Sequence, residues 1–326
     1  DLLAALPETV LAAIDVIIDE GASAFIAGLG VPRPVIERCH DAGLKVMSMC
    51  GKVSHAVAAE EAGCDVVVAQ GTEAGGHTGQ IGGIALIPQI VDAVDIPVLA
   101  AGALVDGRGL AAALSFGAQG VWMGTRFIAS HEAHAAEMYK KKITEVSAAE
   151  TRITRCYSGK TMRVIRNSYV DDWERRPHEI RPFPEQMENA AREGVLDFAT
   201  GGEPDIERTC MPCGQGAGGI LEIASCAEII DGVMSDAREA ISKLTKLAAD
   251  CVRSRPRRLA DARPARDPCR TGICSRASRV RVWVQGPREN DLPGFASVAG
   301  ARVRNRKIVS LTRSLGANAY TPQRLL

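Results

Sequence analysis

"IPVLAAGALVDGRGLAAALSFGAQGVWMGTRF", residues Ile96 to Phe127, sets two short apolar runs on either side of a helix-like stretch, and each run passes into glycine. Ile96 to Ala103 and Gly120 to Phe127 read as strands covered on both faces, because their apolar residues are continuous rather than alternating. Asp106 to Ala118 reads as the helix between them. Strand, helix and strand in that order make a unit of parallel sheet.

The same cycle continues toward the N-terminus. "VVVAQGTEAGGHTGQIGG" (Val66 to Gly83) begins as a strand over Asp65 to Gly71 and runs into a loop carrying six glycines and His77, before a helix over Ile87 to Asp95. Ahead of it come a helix over Ser54 to Gly63 with Ser54 as N-cap, a strand over Lys45 to Gly51, a helix over Arg33 to Gly43 closed by its glycine, a strand over Ala24 to Gly30 and a helix over Thr9 to Glu20. Five βα units are visible. A doubly wound sheet and a (β/α)8 barrel both satisfy the pattern, and in either the functional groups gather at the C-terminal ends of the strands, where these glycines fall.

The composition supports a folded core: of 326 residues, 46% are hydrophobic. No run of about 20 apolar residues is present to span a bilayer, and "DLLAALPETV" lacks the basic and apolar regions of a secretory signal, so the expectation is a soluble, cytoplasmic protein. Ten cysteines scattered through a long α/β chain fit free thiols in a reducing compartment. Cys39, Cys50, Cys64 and Cys226 sit in apolar patterns and read as small core residues. The formal net charge of zero hides an asymmetry, because residues 251–326 hold 17 of the 39 basic residues and 4 of the 39 acidic ones. From Ser147 the strand–helix cycle is lost, and only Pro182 to Gly194 and Gly219 to Asp250 read as helices. We therefore divide the chain into residues 1–146, with the βα units, residues 147–250, a helical and loop region, and residues 251–326, an Arg-rich tail that reads as disordered or non-native, as from a shifted reading frame. That tail lacks the interleaved aromatics or module signature of a nucleic-acid binder.

"GTEAGGHTGQIGGIALIPQIVDAVDIPVLAAGALVDGRGLAAALSFGAQGVWMGTRFIAS" (Gly71 to Ser130) resembles the nitronate monooxygenase family, formerly 2-nitropropane dioxygenases, whose signatures flavin-dependent enoyl thioester reductases share. Further matches lie at "SGKTMRVIRN" (Ser158 to Asn167) and "PCGQGAGGI" (Pro212 to Ile220), and the resemblance covers residues 1–247. It implies a TIM-type (β/α)8 barrel that binds FMN at the C-terminal ends of its strands. Against that family the chain is expected to start before the fourth strand, without the first three strands, which would leave two unpaired sheet edges.

The resemblance also implies roles for individual residues. Gly102, Ala103, Gly124 and Thr125, after the last two strands, stand where the family grips the FMN phosphate, with Ala103 where a second glycine is usual. Gln70 and Gly75 stand where family members contact the flavin ring, and Gly76 lets the backbone pass the cofactor to deliver His77. His77 is then the catalytic residue, polarising the nitro group or taking the α-proton of a neutral nitroalkane. Taken alone, a glycine-rich turn is also what an ordinary βα loop carries. His131 and His134, at i, i+3 spacing next to Glu132, are two ligands without a third, so no metal site is expected there. Cys210 and Cys213 form a single CxxC and read as part of an active-site loop. Lys160, Arg163 and Arg166 read as a solvated basic face, or as a contact for an anion or the phosphates of an acyl-CoA.

The implied activity is FMN-dependent oxidation of alkyl nitronates by O2 to a carbonyl compound and nitrite. An NAD(P)H-dependent flavin reductase of enoyl thioesters or quinones, and an inactive remnant, are the alternatives. The partners are a small-molecule substrate, a nitronate or an enoyl or acyl thioester, and O2. A homo-oligomer is left open.

Overall fold

Short apolar runs ending in glycine become strands here, and the amphipathic stretches between them become the covering helices; Val66–Gln70 and Val98–Ala101 are buried almost throughout, whereas Ala24–Ala27 and Lys45–Cys50 alternate buried residues with more exposed ones. The structure, a computed structural model, describes residues 7–28, 30–196 and 204–253. In chain order the elements are α1 (Pro7–Asp19), β1 (Ala24–Ala27), α2 (Arg33–Asp41), β2 (Lys45–Cys50), α3 (Val53–Ala62), β3 (Val66–Gln70), β4 (Gly76–His77), α4 (Gly83–Ala93), β5 (Val98–Ala101), α5 (Gly107–Ser115), β6 (Gly120–Trp122), α6 (Thr125–Ile128), α7 (Glu137–Glu145), β7 (Thr151–Thr154), β8 (Met162–Ile165), α8 (Ser168–Glu174), α9 (Glu185–Arg192) and α10 (Cys226–Arg253). The expected Arg-rich tail lies outside the described residues from 254 onward.

The main sheet has the order β1-β2-β3-β5-β6, with every pair parallel. This order never reverses, which decides between the two architectures left open by the sequence. A doubly wound sheet turns back at a switch point, whereas successive right-handed crossovers in one direction put all the helices on one face and curl the sheet toward a barrel. The architecture is that of five consecutive βα units of a TIM-type barrel. Its core joins Val46, Val67, Ala69, Val98 and Ala100 of the strands to Ile36, Cys39, Leu86 and Ile90 of the helices, each 4% exposed or less.

Several boundaries differ from those expected, among them the start of α10, which lies at Cys226 and not at Gly219. Ser54 lies inside α3, whose N-cap is Lys52 without a side-chain bond. Helix α4 starts four residues before Ile87, with Pro88 inside it, because the Glu73 carboxylate accepts from the Gly83 N–H and caps the helix from ten residues upstream. Strand β6 stops at Trp122, and Thr125 opens the short α6. Of the four cysteines expected in the core, Cys39, Cys50 and Cys64 are buried, while Cys226 is half-buried with its Sγ 3.6 Å from the Ser130 hydroxyl.

The larger difference lies beyond Ser147, where the expected helical and loop region contains a β-hairpin. β7 and β8 pair antiparallel, and β4 joins the outer edge of β8, with Gly76 opposite Arg163 and His77 opposite Met162. The chain from Met211 to Cys213 adds to this small sheet, Ile165 N–H donating to Met211 O and Cys213 N–H to Arg163 O. Two further apolar clusters support it, one around Tyr139, Ile143, Ile165 and Ile220, the other around Tyr157, Val164 and Val170.

Candidate active site

After β3 the chain turns through residues 71–75, closed locally by Ala74 N–H donating to Gly71 O at 3.1 Å and held by polar groups from elsewhere in the fold. Thr72 O accepts from Arg163 Nε and Nη2 at 3.2 and 3.1 Å, and Arg163 Nη1 reaches Thr151 Oγ1 at 3.0 Å. Glu73 O accepts from Gln215 N at 2.9 Å while its carboxylate caps α4. Gly75 then passes so close to the incoming chain that a Cβ on it would stand 2.6 Å from Gly214 N. Gly76 takes φ +75°, a conformation that side-chain-bearing residues avoid. The purpose of this bare stretch is geometric: it carries His77 onto a two-residue strand pinned by the β8 backbone.

His77 is half-buried, and its Nε2 lies 2.9 Å from Ser158 Oγ. Burial, and then the nearby Lys160 ammonium, hold its pKa below the ordinary histidine value, because both disfavour the imidazolium. The ring lines a cavity of about 530 Å³ at the C-terminal ends of β1, β2 and β3, together with Gly28, Ser48, Gly51, Gln70 and Lys160. That volume lies within the roughly 300–1,000 Å³ common for small-molecule sites. The ionisable groups on its wall are His77, Lys52, His55 and Lys160, with no carboxylate among the described lining residues.

The three basic residues expected to share one face separate. Lys160 stands 4.4 Å over the Phe183 ring and reaches the cavity. Arg166 pairs with Asp171 at 2.6 Å. Arg163 is 6% exposed and bonded to the turn after β3; burial draws its guanidinium below the ordinary value, with Glu73 opposing. It is an internal clasp, not a solvated charge.

The expected phosphate grip forms a second cluster. Gly102 and Ala103 follow β5, Gly124 and Thr125 follow β6, and residues 213–216 cross both ends: Gly214 N–H donates to Thr125 Oγ1 at 3.0 Å, and a Cβ on Gly216 would lie 3.1 Å from Ala103 Cα. None of these four residues, nor Gly75 or Gly76, lines the cavity that holds Gln70 and His77. The two clusters meet through the turn after β3. Gly102 takes φ +151° with the Glu73 carboxylate against it, so its open side is already met by an anion of the protein. Gly124 is exposed, with nothing within 4 Å of where its Cβ would stand. A cavity with a polar amide and an imidazole, beside a glycine-bearing strand end that stays open at Gly124, fits a flat ring with a phosphate arm.

Cys210 and Cys213 are both buried thiols, and burial pushes Cys213 to about 12, far from a reactive thiolate. Their segment leads into the chain that crosses the ends of β5 and β6. Among the described residues no group of three or more His, Cys, Asp or Glu side chains is placed to hold a metal ion. Sequence reasoning missed Glu73, Thr72 and Ser158, which lay inside the quoted motifs without a distinguishing spacing.

A family model described as nitronate monooxygenase matches residues 5–236. A probable nitronate monooxygenase of Staphylococcus saprophyticus is 34% identical over 245 residues, covering 71% of this chain and 67% of that protein. The chain spans about half, 52%, of the Staphylococcus aureus relatives of the same description that it matches. Among solved structures, FabK from Thermotoga maritima superposes with a TM-score of 0.68 at 34% identity, covering 76% of this chain and 77% of that one. A nitroalkane oxidase from Streptomyces ansochromogenes superposes with a TM-score of 0.62 at 29% identity, covering 72% of this chain and 69% of that one.

Proposed function

The chain belongs to the nitronate monooxygenase family, and from that premise we propose that it is an FMN-dependent oxidoreductase converting alkyl nitronates and O2 to carbonyl compounds and nitrite. The observation that carries the reading is the meeting of Gln70 and His77 in one cavity at the strand ends, next to the glycine loops after β5 and β6. In this reading Gly124 and Thr125 offer backbone and hydroxyl groups to the FMN phosphate, with Gly102 and Ala103 keeping the neighbouring strand end bare where the Glu73 carboxylate already meets Gly102. Gln70, whose amide both donates and accepts, faces the ring edge, while Gly75 and Gly76 let the backbone pass it. When bound, FMN supplies the redox chemistry that carries electrons from substrate to oxygen.

The protein's own part centres on His77. Held neutral by burial and Lys160, the imidazole is a ready base for the α-proton of a neutral nitroalkane. The basic wall of the cavity favours an anionic substrate such as a nitronate. We assign residues 1–146 to the flavin-binding βα units and residues 147–250 to the part that completes their mouth, since the hairpin of that second part supplies the partner strand of His77. The reading sets the enzyme in the cytoplasm; among the described residues no helix is long and apolar enough to cross a membrane. A second reading, an NAD(P)H-fed reductase of enoyl thioesters or quinones, draws on Lys52 and Lys160 as contacts for a phosphate-bearing substrate.

The test is the visible spectrum of the full chain after incubation with FMN and desalting, followed by nitrite release from ethyl nitronate in air. Retained flavin bands, nitrite release and its loss on neutral nitroethane in His77→Ala are the expected results. Rapid anaerobic bleaching by NADH without nitrite release would move the assignment to the reductase. A colourless protein would refute both enzymatic readings for this chain.

A further inference from the structure

We propose that Ser158 is the positioning residue of His77: its hydroxyl accepts the Nε2–H and leaves Nδ1 as the basic nitrogen of the ring. The inference rests on the reading of His77 as the reacting group. Ser158 is 4% exposed and belongs to the turn between β7 and β8, the same hairpin whose β8 pairs with the His77 backbone. One element therefore fixes both the main chain and the ring of His77.

The assignment of the proton rests on satisfying every neighbour of the hydroxyl. A serine hydroxyl has one hydrogen to donate and two lone pairs to accept with. Its neighbours are Lys160 N at 3.3 Å, Lys160 O at 3.3 Å, Met162 Sδ at 3.8 Å and His77 Nε2 at 2.9 Å. Lys160 N–H can only donate, so it takes one lone pair. Lys160 O can only accept, and the Ser158 hydroxyl is its one donor among the described residues, so the arrangement that satisfies it gives it the hydrogen. In that arrangement the remaining lone pair faces Nε2, which carries a hydrogen; the opposite one, with the hydroxyl donating to Nε2, would leave Lys160 O without a donor. Nδ1 has no hydrogen-bond partner among the described residues.

This arrangement suits a base better than the reverse one. When Nδ1 takes the α-proton of a nitroalkane, the C–H electron pair stays on the substrate as the nitronate, and the ring becomes an imidazolium with both nitrogens protonated. The Nε2–H···Oγ bond serves both states, so the ring need not move. A hydroxyl donating to Nε2 would instead lose its acceptor each time the ring was charged there. The charge that acts on the ring is Lys160 on the hairpin turn, which disfavours the imidazolium; Lys52 and His55, at the start of α3, line the same cavity, and Arg163 is turned toward Thr72.

Two-bond proton–nitrogen NMR of the 15N-histidine-labelled full chain, without flavin, tests the pairing, with the His77 signals identified by their loss in His77→Gln. The wild type should show a protonated Nε2 and an unprotonated Nδ1 above the titration midpoint. Ser158→Ala should give mixed tautomers and a midpoint lower by about half a unit or more, as expected for loss of one hydrogen bond to the charged form. Ser158→Thr, which keeps the hydroxyl, should restore both signals, and Ser158→Cys repeats the comparison if the alanine variant folds poorly. With flavin bound, kcat on neutral nitroethane should fall about tenfold or more in Ser158→Ala, and by more than on ethyl nitronate. A protonated Nδ1 in the wild type, or an unchanged tautomer and midpoint in Ser158→Ala, would overturn the proposal. Nitroethane oxidation that survives His77→Ala would instead overturn the reading of His77 as base, while the NMR comparison would still decide the pairing.

Discussion

His77 illustrates what a single residue gains from its surroundings. Its pKa is lowered first by burial and second by Lys160, so the neutral base persists below the ordinary histidine value of about 6.5. The kcat/KM for neutral nitroethane should therefore rise with pH along one limb whose midpoint lies below that value, and ethyl nitronate, which has no α-proton left to lose, should lack the limb. A midpoint above it, or the same limb with both substrates, would contradict the role assigned. The sign for stability is parallel: the unfolded chain binds this proton more readily, so the fold loses stability as pH falls through the unfolded value. His77 was singled out in the sequence by the resemblance of the motif around it to a known family, and not by its own residue type, since a lone histidine is ordinarily a surface or core residue. Ser158 was not, since nothing in "YSGKT" separates a structural hydroxyl from one aimed at a ring 81 positions away. Arg163 misled for a related reason: its charge pointed to solvent, while the carbonyl and hydroxyl that receive it, Thr72 O and Thr151 Oγ1, come from distant turns.

At the scale of elements, the five parallel strands were readable and the small antiparallel sheet was not. The parallel strands are short, mostly apolar runs, the first four of them each followed by a helix of nine residues or more, whereas β4 is two residues long and β8 places a buried arginine among apolar neighbours. Burial of all four β8 residues removes the alternation that would mark a strand with one solvated face. The chain from Met211 to Gly216 depends on close backbone approach, which glycine permits but does not announce. Gly75 carries the clearest consequence. A methyl group there would meet Gly214 N at 2.6 Å and Cys213 Cα at 2.9 Å, both backbone atoms that cannot rotate away. Gly75→Ala should lower the stability by about 1–3 kcal/mol, the usual cost of overpacking. Gly82→Ala, at φ −66° with nothing within 4 Å of its Cβ, should stay within about 0.5 kcal/mol. Equal urea midpoints for the two variants would show that the crossing chain yields, and that the approach at Gly75 does not define the turn.

Across the whole molecule, the order of strands could not be read from the sequence, because a one-way sheet and a doubly wound one share the same run of elements. It is fixed by pairing, with β5 beside β3 and β6 beside β5, and that order brings the ends of β3, β5 and β6 into one row under the chain from Met211 to Gly216. The proposed flavin site is therefore built from residues as far apart in sequence as Gln70 and Thr125, and its geometry does not exist in the unfolded chain. A ligand that binds only the folded state stabilises it by mass action, by about 2.7 kcal/mol at a hundredfold excess over Kd. FMN should accordingly raise the melting temperature of the full chain in proportion to the logarithm of its concentration. Riboflavin, which has the ring without the phosphate, should raise it less, because it engages the cavity of Gln70 and His77 but not Gly124 and Thr125. Equal shifts would remove the phosphate role from the ends of β5 and β6 and leave the ring site standing. No shift from either flavin would show that these strand ends, although they gather in one place, do not form a flavin site in this chain.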